Sequence, residues 1–405
     1  MKSIRVINKQ SGAVSLFVVI FAILLMSVVT ISFLRIMTAD QNQASGNDLA
    51  RSAYDSALAG VEDAKRTLVW YTQQCKTSPG SCADWATKLA TTECNTAIRL
   101  SGVVKAGDIA STSGGTGTGE IKVQQSTAVD ESGNSVDKAL DQAYTCVTLK
   151  LNTDDYKAKV PANQSILVPL ISTGSFSSVT IEWFSRDDVT ATDGTVKTPN
   201  TTGTQPLLNQ SDWVVDRPSL LRAQYMQVGS SFKLSDFDYV TDDSQSNGNT
   251  IFLYPSTNGS TTAELVSRDI RRNSAGSLPP ATAASAPFPT KCATKVSSGG
   301  YACKVTLSLP TPVGGGTPST AYLRLTSFYA AANVRVTLNG SQFKVVQPIV
   351  DSTGRANDVF RRVESRIDLY DTGFPYPEAA VDLNNSLCKD FAVTDTQYIA
   401  GSCTP

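Results

Sequence analysis

SGAVSLFVVIFAILLMSVVTISFL, residues 11–34, is the stretch whose reading decides the fold. From Ala13 to Leu34 it runs 22 residues without a charge. As a helix rising about 1.5 Å per residue it reaches roughly 33 Å, enough to cross a bilayer. No second run of this length and apolarity occurs in the 405 residues. The preceding leader, Met1–Gly12, carries Lys2, Arg5 and Lys9 and no acidic residue, whereas the first charges after the span are Arg35 and Asp40. That bias predicts an N-terminus in the cytoplasm and the rest of the chain outside. A secretory signal would have a shorter apolar core followed by a small-residue cleavage site. Here the small residue, Gly12, comes before the run.

The helical pattern continues from residue 35 to about Trp70 as an amphipathic stretch. Ala50, Tyr54, Ala57, Val61, Ala64 and Leu68 recur at spacings of four and three, giving one apolar face that can lie against a sheet. Arg51 with Asp55 and Glu62 with Arg66 stand at i,i+4 on other faces, a spacing worth a few tenths of a kcal/mol, about 0.3, per pair. Gly46 is the weak point, because glycine in a helix interior costs about 1 kcal/mol relative to alanine.

From residue 71 onward the chain reads as a cysteine-bearing head. A short helix is expected over Ala83–Ala97, then a surface loop over Gly107–Gly119, too rich in Gly, Ser and Thr to bury much. Two-residue alternation follows in Glu120–Gln125, Ala143–Leu151, Ser165–Ile171, Ser178–Phe184, Trp213–Val215, Leu220–Val228, Thr250–Tyr254, Cys303–Leu309, Ala321–Tyr329, Val334–Leu338, Phe343–Val346 and Asp358–Leu369. Short strands broken by turn residues predict antiparallel sheets. Val334–Leu338 and Phe343–Val346 flank Asn339-Gly340 and read as a hairpin, since Asn-Gly accepts the positive φ of a tight turn. The fold class expected is α+β: a long N-terminal helix, transmembrane over 13–34 and amphipathic over 35–70, packed on an antiparallel β-rich, disulfide-containing head over 71–405. A module inserted at about 153–289 is bounded by a Pro- and Ser-rich loop.

Cys75, Cys82, Cys94, Cys146, Cys292, Cys303, Cys388 and Cys403 all follow the apolar run, which fits a head in an oxidising compartment. Eight cysteines permit about 105 pairings; the expected one joins neighbours, 75 with 82, 94 with 146, 292 with 303 and 388 with 403. The chain has no histidine, which removes the usual general base and the commonest transition-metal ligand. No catalytic residue is assigned, and an anchored hydrolase is the least supported class. A formal net charge of −1 without a basic run argues against nucleic acid. No cofactor is assigned. Asp236, Asp238, Asp242 and Asp243 form a calcium candidate, an ion that takes six to eight oxygens, but their spacing matches neither an EF-hand nor a glycine-aspartate repeat. Arg362, Glu364, Arg366 and Asp368 alternate in sign along one strand face, which reads as a solvated ladder of charges.

A glycine on the cytoplasmic side of an apolar helix resembles the type IV pilin-like proteins, which a prepilin peptidase cuts after that glycine. By this resemblance Gly12 ends the leader and Ala13 becomes the N-methylated terminus. Pilins commonly carry a glutamate at the fifth mature position; here it is Phe17. The stretch Thr38–Asn47, followed by Ala50–Tyr54 and Ala57–Glu62, resembles the post-membrane helix of PilX-type minor pilins, which often lack that glutamate. Gly354-Arg355-Ala356-Asn357-Asp358 resembles the turn into a late sheet strand of such heads. The resemblance covers about Ser11 to Leu68. It implies a non-enzymatic subunit, held in the cytoplasmic membrane and then assembled into a surface pilus. Its partners would be other pilin subunits, the prepilin peptidase and the inner-membrane assembly machinery. The alternatives are a large pseudopilin of a type II secretion system and a membrane-anchored adhesin that is not assembled into a fibre.

Overall fold

The computed structural model of the chain describes residues 11–104, 119–123, 142–200, 208–228, 248–264, 287–315 and 320–369. Residues 1–10 of the leader, most of the Gly107–Gly119 loop, the acidic stretch Asp236–Asp243 and the Cys388–Cys403 pair lie outside these residues. The protein is α+β. A helix, α1 (Ser11–Thr77), runs unbroken for 67 residues, so Gly46 does not interrupt it. Two short helices follow, α2 (Cys82–Leu89) and α3 (Thr96–Ser101). The single helix expected over 83–97 is thus divided. Asn95, at φ 61°, breaks the chain direction between them and donates from its side chain to the carbonyls of Gly119 and Thr145.

The strands in chain order are β1 (Ile121–Lys122), β2 (Gln142–Thr153), β3 (Asp155–Val160), β4 (Gln164–Pro169), β5 (Phe176–Ser185), β6 (Leu220–Val228), β7 (Gly248–Ser256), β8 (Thr262–Glu264), β9 (Phe288–Lys291), β10 (Tyr301–Val313), β11 (Thr320–Phe328), β12 (Ala332–Leu338), β13 (Phe343–Ala356) and β14 (Val359–Arg366). All of them but β4 make three sheets, ordered β1-β2-β13-β14, β3-β12-β5-β10-β8 and β11-β6-β7-β9. The first packs on α1 around Leu68, Tyr144, Val147, Leu149 and Val350. The inward faces of the other two share a separate core containing Ile181, Trp183, Leu221, Leu253, Val305, Leu325 and Val336. Trp213–Val215 is not a strand: Val214 and Val215 are exposed in a turn.

The chain leaves the first sheet at Thr153 and re-enters it at Phe343. The two further sheets therefore occupy residues 155–338, not 153–289. Strands on both sides of residue 289 belong to this pair of sheets, since β10 and β12 pair with β5, and β11 with β6. The expected hairpin is overturned by the same topology. Asn339-Gly340 does turn the chain, with Gly340 at φ 82°, but β12 pairs with β3 and β5 whereas β13 pairs with β2 and β14. The turn moves the chain between sheets because its side chains are taken by other strands: Asn339 donates to Ser178 at 2.9 Å and accepts from Thr180 at 3.1 Å. β13 then serves both cores. Phe343 and Val346 enter the core of the paired sheets, and a register shift between Lys344 and Ile349, with Val345 at φ 57°, redirects the strand so that Val350 faces α1.

At this junction the buried Gln347 accepts from the Lys157 amide at 3.0 Å and donates to the Lys157 carbonyl at 2.8 Å and to Asp368 at 2.9 Å. Arg366 donates to Asp155 at 2.7 Å, and Arg362 pairs with Asp351. Of the charges read as a solvated ladder, Arg362, Glu364 and Asp368 are exposed, while Arg366 is half-buried against β3.

Candidate functional surface along the N-terminal helix

The helix α1 presents three successive surfaces. In the first, the large apolar side chains from Leu16 to Met37 are 48–78% exposed, with Phe17 at 78%. Among the described residues this is one helix long and apolar enough to cross a membrane. Its few hydroxyls are satisfied inside the helix: Ser27 donates to the Leu24 carbonyl, Thr30 to Met26 and Ser32 to Val28, each at 2.8 Å. Such bonding lets a polar side chain sit in hydrocarbon without an unpaired donor. Gly12 and Ala13 lie in the first turns of α1.

The second surface, residues 38–48, is polar and exposed all round. Among the described residues no tertiary packing supports it, and a β-carbon added at Gly46 would meet nothing within 4 Å.

The third surface docks on the first sheet. Ala53, Ser56, Ala57, Val61, Ala64, Thr67, Leu68 and Tyr71 are buried, along with Gly60. Of the expected face, Ala57, Val61, Ala64 and Leu68 lie in this contact, Ala50 is half-buried, and Tyr54 is a correction, 48% exposed. The stripe passes through Ala53 because the helix backbone approaches the sheet too closely for a tyrosine. A β-carbon on Gly354 of β13 would lie 2.2 Å from the Ala53 carbonyl oxygen and from the Ala57 amide nitrogen, and one on Gly60 would lie 2.4 Å from Ser352 Oγ. Ser352 donates to the Ala57 carbonyl at 2.8 Å, and Tyr144 donates to Asp63 at 2.9 Å. Asp63 also pairs with Arg66 at 3.3 Å, the position expected for Glu62. Reading apolar residue types alone misses Ser56, Gly60 and Thr67. The signal that finds them is small size at spacings of three and four, 53-56-60-64-67.

Two disulfides hold this end of the helix. Cys75–Cys82 ties α1 to α2 with Cα atoms 4.8 Å apart, where Trp70 and Trp85 meet edge to face at 4.9 Å. Cys94–Cys146 ties the segment before α3 to β2. Cys292–Cys303 clips the other core. These are the pairings expected for six of the eight cysteines. Burial pushes the Tyr71 phenol above its usual range. Of the four tryptophans, Trp183 is fully buried and Trp70, Trp85 and Trp213 are half-buried.

Compared with protein-family profiles, with curated proteins and with solved structures, the chain finds no match.

Proposed function

We propose that this chain is a structural, non-enzymatic subunit of a type IV pilus, a PilX-like minor pilin processed after Gly12. The observation that carries the reading is the continuity of α1: one uninterrupted helix joins a fully exposed apolar stretch to a face docked on a sheet. A head fixed to the end of such a helix must follow any movement of the apolar part. In a membrane the stretch Leu16–Met37 satisfies its own backbone and is solvated by lipid. In a fibre the same surface exchanges lipid for neighbouring apolar helices, and the sheets remain outside. Phe17 supplies no carboxylate to a neighbour's terminal amine, which favours a minor subunit over the bulk polymer.

Mass spectrometry of the protein extracted from its native membrane tests this. An N-terminus at Ala13 carrying one added methyl group is expected. An intact Met1 overturns processing and leaves a membrane-anchored surface protein.

A further inference from the structure

The sheet β3-β12-β5-β10-β8 turns one face to solvent, and its residues form a charged row in register. Lys157 of β3 stands opposite Arg335 of β12, Arg335 opposite Glu182 of β5, and Glu182 opposite Lys304 of β10. The row thus carries three cations and one carboxylate across four strands, with Arg335 and Lys304 paired to Glu182 and Lys157 paired to Asp155 of its own strand. Arg335 donates to Glu182 at 2.7 Å and Lys304 lies 3.8 Å from it. Like charges directly opposite each other weaken a sheet; here Lys157 and Arg335 each have a carboxylate, Asp155 and Glu182, but each of these carboxylates is shared with a second cation, so the row keeps an excess of positive charge.

Beside this row the sheet is walled into a cleft of about 410 Å³, within the size range of small-ligand sites. One wall is the turn Gly299-Gly300-Tyr301, another is Ser185-Arg186-Asp187, and Lys157, Lys159 and Asn333 complete it. Arg335 lies over the Tyr301 ring, 4.8 Å from its centre, which fixes the guanidinium at the cleft wall. Arg186 is held by two neutral carbonyls, those of Val189 and Thr192, so hydrogen bonds orient it without cancelling its charge. Lys159 is exposed.

The nearby carboxylates are mostly engaged elsewhere. Asp155 is shared between Arg366 at 2.7 Å and Lys157 at 3.4 Å. Asp188 accepts from the Ser185 and Asn333 amides, the Ser185 hydroxyl and the Asn333 side chain. Asp187 is the one carboxylate among the lining residues, against Lys157, Lys159, Arg186 and Arg335.

We propose that this cleft binds a small acidic saccharide: a carboxylate or sulfate group held by Lys159, Lys157 and Arg186, on a polar ring received by the Asn333 side-chain oxygen, Tyr301 and the glycine turn. The cleft extends well beyond the space one oxyanion fills, and beside its cations it is lined by the Tyr301 ring, the glycine turn, the Asn333 amide and one carboxylate, Asp187, the mixture of aromatic and polar groups a sugar frame meets. Its chemistry is independent of how the chain is anchored or assembled.

The test is calorimetric titration of the full chain in neutral-detergent micelles at low salt, using a sulfated uronate disaccharide, an uncharged disaccharide and inorganic sulfate. The acidic disaccharide is expected to bind, more weakly as salt rises, and the uncharged one not to bind. Lys159→Glu, at an exposed position, should weaken binding by about tenfold with an unchanged melting temperature, the loss expected for one charge-assisted contact. Lys159→Gln, which removes the charge without reversing it, should weaken it less. Absence of binding by the acidic disaccharide, or equal affinity in Lys159→Glu, overturns the site. Inorganic sulfate binding as tightly as the disaccharide overturns the saccharide assignment.

Discussion

Single atoms decide how α1 meets its sheet. The Gly354 backbone touches the helix at Ala53 and Ala57, and no side chain fits between them. Gly354→Ala places a methyl group 2.2 Å from two backbone atoms, neither of which can swing away as a side chain could. It should destabilise the protein by about 2–3 kcal/mol through overpacking, seen as a lower denaturant midpoint by tryptophan fluorescence in detergent. Gly46→Ala is the matched contrast. Nothing surrounds that position, so the substitution should leave the midpoint unchanged and strengthen the local helix by about 1 kcal/mol. A Gly354→Ala protein as stable as the wild type would mean that helix and sheet are not in backbone contact. In the sequence Gly354 reads as part of a turn; its role is legible only once Ala53 and Ala57 lie across from it.

Elements differ in what holds them. The docked part of α1, from Ala53 to Tyr71, is supported by packing, by Ser352 and Tyr144, and by the Cys75–Cys82 bridge. Residues 38–48 have only their own helical hydrogen bonds and are exposed on every side. Helices without tertiary packing are marginal in water, and opening free energies follow local contact density. Hydrogen exchange of the micelle-bound protein should show amides 38–48 exchanging at least about a hundredfold faster than those of 57–68. Equal protection across the two segments would mean that another surface covers the exposed stretch. The apolar period that marks 50–68 as a docking face is visible in the sequence. That its axis runs through Ala53 and Gly60, and leaves Tyr54 in solvent, follows from the distance between helix and sheet, a quantity periodicity does not contain.

At the scale of the molecule, two cores are joined through β13. The core of the paired sheets buries two tyrosines, Tyr156 and Tyr225. Tyr156 is pushed above its ordinary range by burial and then by the Asp368 carboxylate, and Tyr225 by burial. A raised pKa in the folded state means that above about pH 10, the ordinary value, the unfolded chain has lost protons the folded one retains. Stability is therefore unaffected by these groups below that pH and falls as pH rises through it, by up to about 1.4 kcal/mol per pH unit for each tyrosine. Denaturation midpoints measured between pH 9 and pH 11 should decline with this slope in the wild type, and less steeply in Tyr156→Phe. An identical slope in both would remove Tyr156 as a cause.

What the sequence determined by itself is what depends on neighbours along the chain: the apolar helix at 13–34, its amphipathic continuation and the β-rich head. What only the tertiary structure decided is how distant strands pair. Asn339-Gly340 carries the local chemistry of a hairpin, yet Ser178 and Thr180 hold one side of it while β2 takes the strand that follows. The insertion ends at 338 and not at 289 for the same reason, since β10, β11 and β12 find their partners more than a hundred residues back in the chain or in a sheet already formed. The basic cleft is legible only there as well. Lys157 and Arg335 are far apart in the chain and strand register sets them opposite each other, while Arg186, just past the end of β5, joins them at the cleft.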